Sequence, residues 1–249
     1  MNEDKTLEGR IALVTGASRG IGYFCAKELA ARGAHIIAVA RTAGGLEELD
    51  DEIQKLGGSA TLVPLNLTDY EAIDRLGAVI FERWKKLDIL LGNAGILGPM
   101  SPLGHVEPKK FEETMALNVT ANWRLIRSLD PLLRQSDAGR AVFVSSSAAH
   151  KCKAYWGPYS ITKAALEALV RTYANENQQT NVNAMLVNPG RMRTQMRAQA
   201  MPGEDPEILP HPSSIASSIA DLCLPSCALN GKIYDHPTGD TKTFIPLIG

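Results

Sequence analysis

Short, nearly continuous apolar runs alternate along the chain with longer stretches in which apolar positions recur every three to four residues. The short runs predict strands over Ile11 to Thr15, His35 to Ala40, Ala60 to Pro64, Ile89 to Gly92, Ala141 to Ser145, Val182 to Val187 and Lys232 to Asp235. Helical stretches of roughly 12 to 25 residues separate them, and strand, helix, strand in succession is the rhythm of a parallel sheet. The expectation is an α/β fold: three layers, doubly wound, with about seven parallel strands and helices on both faces.

Local signals sharpen these divisions. Thr68 and Glu71 have the spacing of a capping box ahead of a helix near Ala72 to Trp84, and Pro108 suits the first turn of a helix running past Asn118. Gly33 and the pair Gly57 and Gly58 close helices before the next strand begins. The 249 residues suit one large core, no linker-like segment or repeat divides them, and residues 1–249 are expected to form a single domain.

Charge and cysteine content narrow the partners. Twenty-six basic residues against 27 acidic ones leave a formal charge of −1, which argues against nucleic acid or an anionic membrane and for a small molecule. The polar start from Met1 to Glu8 is unlike an export signal, and no apolar run approaches the roughly 20 residues that span a bilayer. A soluble, cytoplasmic protein is expected. Cys25, Cys152, Cys223 and Cys227 fit no disulfide framework, and Cys223 and Cys227, in an apolar helical stretch, read as buried structural thiols rather than metal ligands. No metal site is expected.

The candidate chemistry begins between the first strand and the first helix, at Thr15, Gly16, Ala17, Ser18, Arg19, Gly20, Ile21 and Gly22. Glycines there let the backbone turn sharply and approach a ligand, while a helix start offers free amides and partial positive charge to a pyrophosphate. This predicts a Rossmann-like dinucleotide site, with GxxxGxG spacing in place of GxGxxG. An NAD site usually carries an acidic residue at the end of the second strand; here Ala40 is followed by Arg41. Arg41, with Arg19, suits a 2′-phosphate through charge-assisted hydrogen bonds, so NADP(H) is preferred over NAD(H).

Further along, Tyr159 precedes Lys163 by four residues, just over one helical turn, and Ser146 lies thirteen residues upstream of Tyr159. A neighbouring ammonium favours phenolate, so Lys163 is expected to draw the Tyr159 pKa down from about 10 towards working pH. Tyr159 would then donate and recover a proton.

With these residues in order, the chain resembles a classical short-chain dehydrogenase/reductase along nearly its whole length. The matching motifs are the loop from Thr15 to Gly22, Asn93, Ala94 and Gly95 after the fourth strand, Asn118, Ser146, Tyr159 with Lys163, and Pro189 with Gly190. The resemblance implies that Tyr159 is the general acid in carbonyl reduction and the base in alcohol oxidation, and that Ser146 steadies the substrate oxygen. Lys163 would contact the nicotinamide ribose, and Asn118 would anchor a water linking Lys163 to solvent. Asn93, Ala94 and Gly95 would line the adenosine side, and Pro189, Gly190, Met192 and Thr194 the nicotinamide side. Two departures stand out: Asn66 and Leu67 occupy the place where many members carry Asp for the adenine amino group, and Met192 replaces a smaller aliphatic residue. The Asn66 carbonyl can still accept that hydrogen bond.

The substrate is less legible. The irregular segment from Arg191 to Pro212 resembles a mobile loop that folds over the nicotinamide, and Leu97, Ala148, Trp156 and Met196 are candidates for an apolar wall. Arg191, Arg193 and Arg197 suit either an anionic substrate or surface ion pairs. The tail from Thr241 to Gly249, with Phe244, Ile245, Leu247 and Ile248, would cover a neighbour or its own core. The resemblance implies a homodimer or homotetramer. The leading expectation is an NADP(H)-dependent oxidoreductase interconverting a carbonyl and an alcohol. The alternatives are a non-catalytic NADP(H)-binding regulator on the same fold and a sugar nucleotide epimerase, for whose substrate domain the C-terminal portion leaves little room.

Overall fold

The computed structural model describes residues 5–244. The chain begins with β1 (Ile11–Thr15), α1 (Gly20–Ala31), β2 (His35–Ala40), α2 (Gly44–Lys55), β3 (Ser59–Pro64), α3 (Tyr70–Trp84) and β4 (Ile89–Gly92). It continues with α4 (Pro108–Met115), α5 (Ala121–Leu133), β5 (Gly139–Val144), α6 (Ala148–Lys151), α7 (Gly157–Glu176) and β6 (Val182–Asn188). Last come α8 (Gln195–Ala200), α9 (Ala216–Leu222), β7 (Ile233–Asp235) and β8 (Asp240–Lys242).

One sheet takes the order β3-β2-β1-β4-β5-β6-β7-β8. All pairings are parallel from β3 to β7, as the strand and helix rhythm predicts; β8 is antiparallel to β7 and was not expected. It is a three-residue return in which every residue is exposed, so it carries no apolar signal. This is the beginning of the tail; Ile245, Leu247 and Ile248 lie outside the described residues.

Side chains alternate across the strands and divide the core in two. Ala12, Val14, Ile36 and Ala38 meet Leu29, Leu46, Leu49, Ile53 and Ile219 on one face, beneath α1, α2 and α9. Leu13, Ile37, Val39 and Phe143 meet Ile73, Leu125, Leu129, Leu166 and Val170 on the other, beneath α3, α5 and α7. Both faces are buried, which is why the strands read as continuous apolar runs. Among the described residues, no helix is long and apolar enough to cross a membrane.

Several local expectations need adjusting. Asp69, not Thr68, caps α3, accepting from the Ala72 amide at 3.0 Å; Thr68 instead turns its hydroxyl to Asn66, so the helix starts a residue later than a Thr68 to Glu71 box requires. The helix from Pro108 past Asn118 is continuous only through a π-helical turn, Ala116–Thr120. Pro108 does sit in its first turn, and Gly33 (φ +98°) and Gly57 (φ +75°) do follow helix ends in the left-handed region. Cys223 is buried, but Cys227 lies past the end of α9 and is only partly buried.

Order reverses between β1 and β4, so the connections leaving their carboxyl ends diverge to opposite faces and open a crevice there. Gly92 at the end of β4 lets Phe143 lie against the backbone, since a Cβ there would collide with the ring. Phe143 is fully buried. Phe143→Ala is expected to lower unfolding free energy by about 3–5 kcal/mol, measured by chemical denaturation; a loss under about 1 kcal/mol would contradict this packing.

Candidate active site

The crevice is stitched at its floor by Thr15. Its Oγ1 accepts from the amides of Asn93 (2.9 Å) and Ala94 (3.1 Å) and donates to the Leu91 carbonyl (3.2 Å), while Asn93 Nδ2 donates to the Thr15 carbonyl (3.0 Å). The loops after β1 and β4 are therefore one unit. Gly22 is needed for this contact: a Cβ there would run into the Gly16 carbonyl oxygen and Asn93 Nδ2. Gly20 takes φ +60°, which favours glycine.

At the start of α1, Arg19 is extended, offers no side-chain cap, and no acidic residue occupies the first turn. The first amides thus keep their donors for an anion, helped by the helix dipole. Arg41 follows β2 and, like Arg19, is exposed on the cleft wall without a carboxylate partner among the described residues. These features fit a phosphorylated dinucleotide.

The cleft, about 2040 Å³, is lined by Gly16, Ser18, Arg19, Gly20, Ile21, Arg41, Leu67, Asn93, Ala94, Gly95, Ser146, Tyr159, Lys163, Pro189, Gly190, Met192 and Thr194. That exceeds the usual small-ligand pocket of about 300–1,000 Å³ and leaves room for a cofactor and a second molecule. Three expected site residues do not line it. Gly22 is buried beneath the loop, serving its packing. Asn66 uses its side-chain carbonyl within its own turn, accepting from the Thr68 amide (3.2 Å) and hydroxyl (3.0 Å). Asn118 is fully buried in the π-helical turn, with Oδ1 accepting from the Ile96 amide (2.9 Å) and Nδ2 donating to the Ile96 carbonyl (2.8 Å) and Thr162 Oγ1 (3.0 Å). Its side chain holds the β4 loop against α7. Gly95 lies between the two, where a Cβ would be 3.1 Å from Asn118 Oδ1 and 3.8 Å from Lys163 Nζ.

Tyr159 and Lys163 share one buried side of α7, with Nζ 5.6 Å from the phenol ring centre. Lys163 Nζ donates to the Val144 carbonyl at 2.8 Å, anchoring the end of β5 immediately before Ser145 and Ser146. The direction of the Tyr159 shift is opposite to that expected from its neighbour. Burial pushes the phenol up to about 12, with the Ser146 hydroxyl pulling the other way. Burial likewise pushes Lys163 down to about 8, opposed by the Glu167 carboxylate. Loss of water is the larger effect on both groups.

On the same side, Leu97, Ala148 and Tyr159 form an apolar cluster with Trp156, Met196 and Ala200, so the predicted wall is assembled from four separate segments. Arg191 and Arg197 both pair with Glu204, at 3.6 Å and 2.6 Å, and Arg193 pairs with Glu207 at 3.0 Å. Of the two readings of these arginines, ion pairing is the one observed. The pairs pin the segment around α8, whose N-terminus Thr194 caps by accepting from the Arg197 amide. Met192 is buried beneath Ser214, whose hydroxyl approaches its sulfur at 3.9 Å.

Sequence reasoning missed two supports. Asn188 accepts from the amides of Ser147 (3.0 Å) and Gly190 (3.3 Å) and donates to Asp235 Oδ1 (2.6 Å), joining the ends of β5, β6 and β7. An Asn directly before Pro189 and Gly190 was the available signal. Glu167 is a buried carboxylate one turn beyond Lys163; its signal was an acid within the apolar face of α7.

Known proteins agree with this architecture. Residues 10–205 match the short chain dehydrogenase family. The chain is 38% identical over 212 residues to the uncharacterized oxidoreductase YciK of Escherichia coli, covering 84% of each chain. A short chain dehydrogenase structure from Pseudomonas syringae superposes with a TM-score of 0.91 at 38% identity, covering 95% of this chain and 98% of that one. Another, from Shigella flexneri and complexed with NADP, gives 0.90 at 36% identity, covering 94% and 100%. The chain belongs to the short-chain dehydrogenase/reductase family.

Proposed function

We propose that this protein is an NADP(H)-dependent oxidoreductase that interconverts a carbonyl and a primary or secondary alcohol, with Tyr159 as the proton-transferring group. The observation that carries the reading is the convergence of Ser146, Tyr159 and Lys163 on one wall of a cleft whose other end presents the α1 amides, Arg19 and Arg41. The NADP complex of the Shigella flexneri relative supports the same cofactor. When bound, the nicotinamide supplies the hydride. A phenol pushed up to about 12 is protonated at neutral pH, the state a general acid needs for carbonyl reduction. In this reading Ser146, on the cleft wall, hydrogen-bonds the substrate oxygen, Lys163 contributes positive charge beside the phenol, and the apolar cluster of Leu97, Ala148, Trp156 and Met196 keeps the reacting carbon out of water.

The single sheet running through the described residues supports one cofactor-binding domain, and the exposed Trp123 on α5 and Ile161 on α7 suit pairing of two copies along these helices.

Two measurements test the reaction and the cofactor. Against a panel of aldehydes and ketones, followed by NADPH absorbance, Tyr159→Phe is expected to lower kcat by about 10²–10⁴-fold while NADPH still binds; equal rates would remove Tyr159 from the chemistry, and tight NADPH binding without any turnover in wild type would favour a regulator. In titrations with both cofactors, Arg41→Ala is expected to weaken NADPH by about 10–100-fold, corresponding to about 1.5–3 kcal/mol for a charged hydrogen bond, and to leave NADH nearly unchanged. Tighter NADH than NADPH binding in wild type would contradict the cofactor assignment.

A further inference from the structure

Glu167 is a charged side chain in an otherwise apolar part of α7, 3% exposed. An isolated carboxylate in such a place is costly, and it persists only where partners compensate it. Its partners are specific. The Ser145 hydroxyl donates to Oε1 at 2.6 Å, and His150 Nε2 donates to Oε2 at 2.8 Å. Ser145 is followed directly by Ser146, and preceded by Val144, whose carbonyl receives Lys163 Nζ at 2.8 Å. Lys163 and Glu167, one helical turn apart, therefore grip consecutive residues at the end of β5.

His150 closes the outer side of this arrangement. Its ring is largely exposed on α6, faces the cleft, and lies 6.1 Å from the Phe244 ring, over which Arg171 of α7 places its guanidinium at 4.4 Å. The charged and titratable groups facing Glu167 are thus Lys163 and Arg171 on α7 and His150 on α6, with the Ser145 hydroxyl at β5. Asp235 and Lys242, on β7 and β8, pair with each other instead.

We propose that Glu167 is a positioning residue for the reaction, clamping the end of β5 that carries Ser146 through Ser145 and serving as the buried counter-charge that keeps Lys163 cationic. This rests on the oxidoreductase reading given above. Glu167 touches neither substrate nor cofactor; it acts through Ser145 and Lys163. The carboxylate raises the Lys163 pKa against the larger, opposite effect of burial, and the two together leave it at about 8. Removing the charge while keeping the shape must therefore let Lys163 lose its proton at lower pH.

Glu167→Gln makes that substitution: it keeps an acceptor for Ser145 and a polar group for His150. The first readout needs no substrate. Trace acylation of Lys163 by acetic anhydride across pH, in the cofactor-free protein and quantified by peptide mass spectrometry, reports its protonation directly. The midpoint is expected to fall by about half to one pH unit in Glu167→Gln; an unchanged midpoint would overturn the proposal. His150→Gln keeps the carboxylate, and its midpoint is expected to stay with wild type; a move as large as that of Glu167→Gln would mean general loosening of α6 and α7 and would also overturn it. Ser145→Ala tests the clamp separately should Glu167→Gln fail to fold. A several-fold loss of kcat with the KM for NADPH kept is expected, and an unchanged kcat would overturn the clamp. Absence of turnover in wild type would sink the proposed reaction, while the Lys163 midpoint would still decide the role of Glu167.

Discussion

Burial of the Lys163 ammonium is the constraint on which the rest of the site depends. A charge that is 4% exposed must be compensated from several directions at once. It is compensated by the Val144 carbonyl, the face of the Tyr159 ring and the nearby Glu167 carboxylate. Each of these fixes a different piece of the molecule. The carbonyl ties α7 to the end of β5, the ring sets the phenol beside the lysine, and the carboxylate reaches Ser145 next to Ser146. A solvent-exposed lysine would require none of this and would position nothing.

The sheet delivers these groups to one place for a topological reason. In a parallel sheet all carboxyl ends lie along one edge, so residues far apart in sequence meet there once the strands pair. Thr15, Asn93, Ser146 and Asn188 occupy that edge at the ends of β1, β4, β5 and β6. Their hydrogen bonds run sideways between loops: Thr15 to Asn93 and Ala94, and Asn188 to Ser147, Gly190 and Asp235. The cleft is bounded by loops, but these cross-links and the strands beneath them tie its floor together, as a site that must hold two molecules in fixed alignment requires.

Much of this was legible in the sequence because it rests on local patterns. Apolar runs buried on both faces located seven strands, and β1, β2 and β4 match their expected bounds to the residue. The glycine loop and the Ser146, Tyr159 and Lys163 spacing likewise depend on short-range geometry. What escaped depends on three-dimensional neighbours. β8 is too short and exposed to have an apolar pattern. Asn66 spends its carbonyl on Thr68, and Asn118 spends its side chain on Ile96 and Thr162; neither engagement can be read from residue type alone. Helical spacing reveals the charge beside Tyr159 but not the depth of its burial, which pushes the phenol up rather than down.

The state of that phenol is the centre of the account, and tyrosinate absorbance measures it directly. The difference between wild type and Tyr159→Phe, titrated without cofactor, isolates the one side chain. At pH 10, where an ordinary phenol is about half ionised, Tyr159 is expected to contribute almost no tyrosinate, in keeping with a pKa pushed up to about 12. A tyrosinate band from Tyr159 already developed near neutral pH would show that the attraction of Lys163 outweighs burial, and would contradict the account.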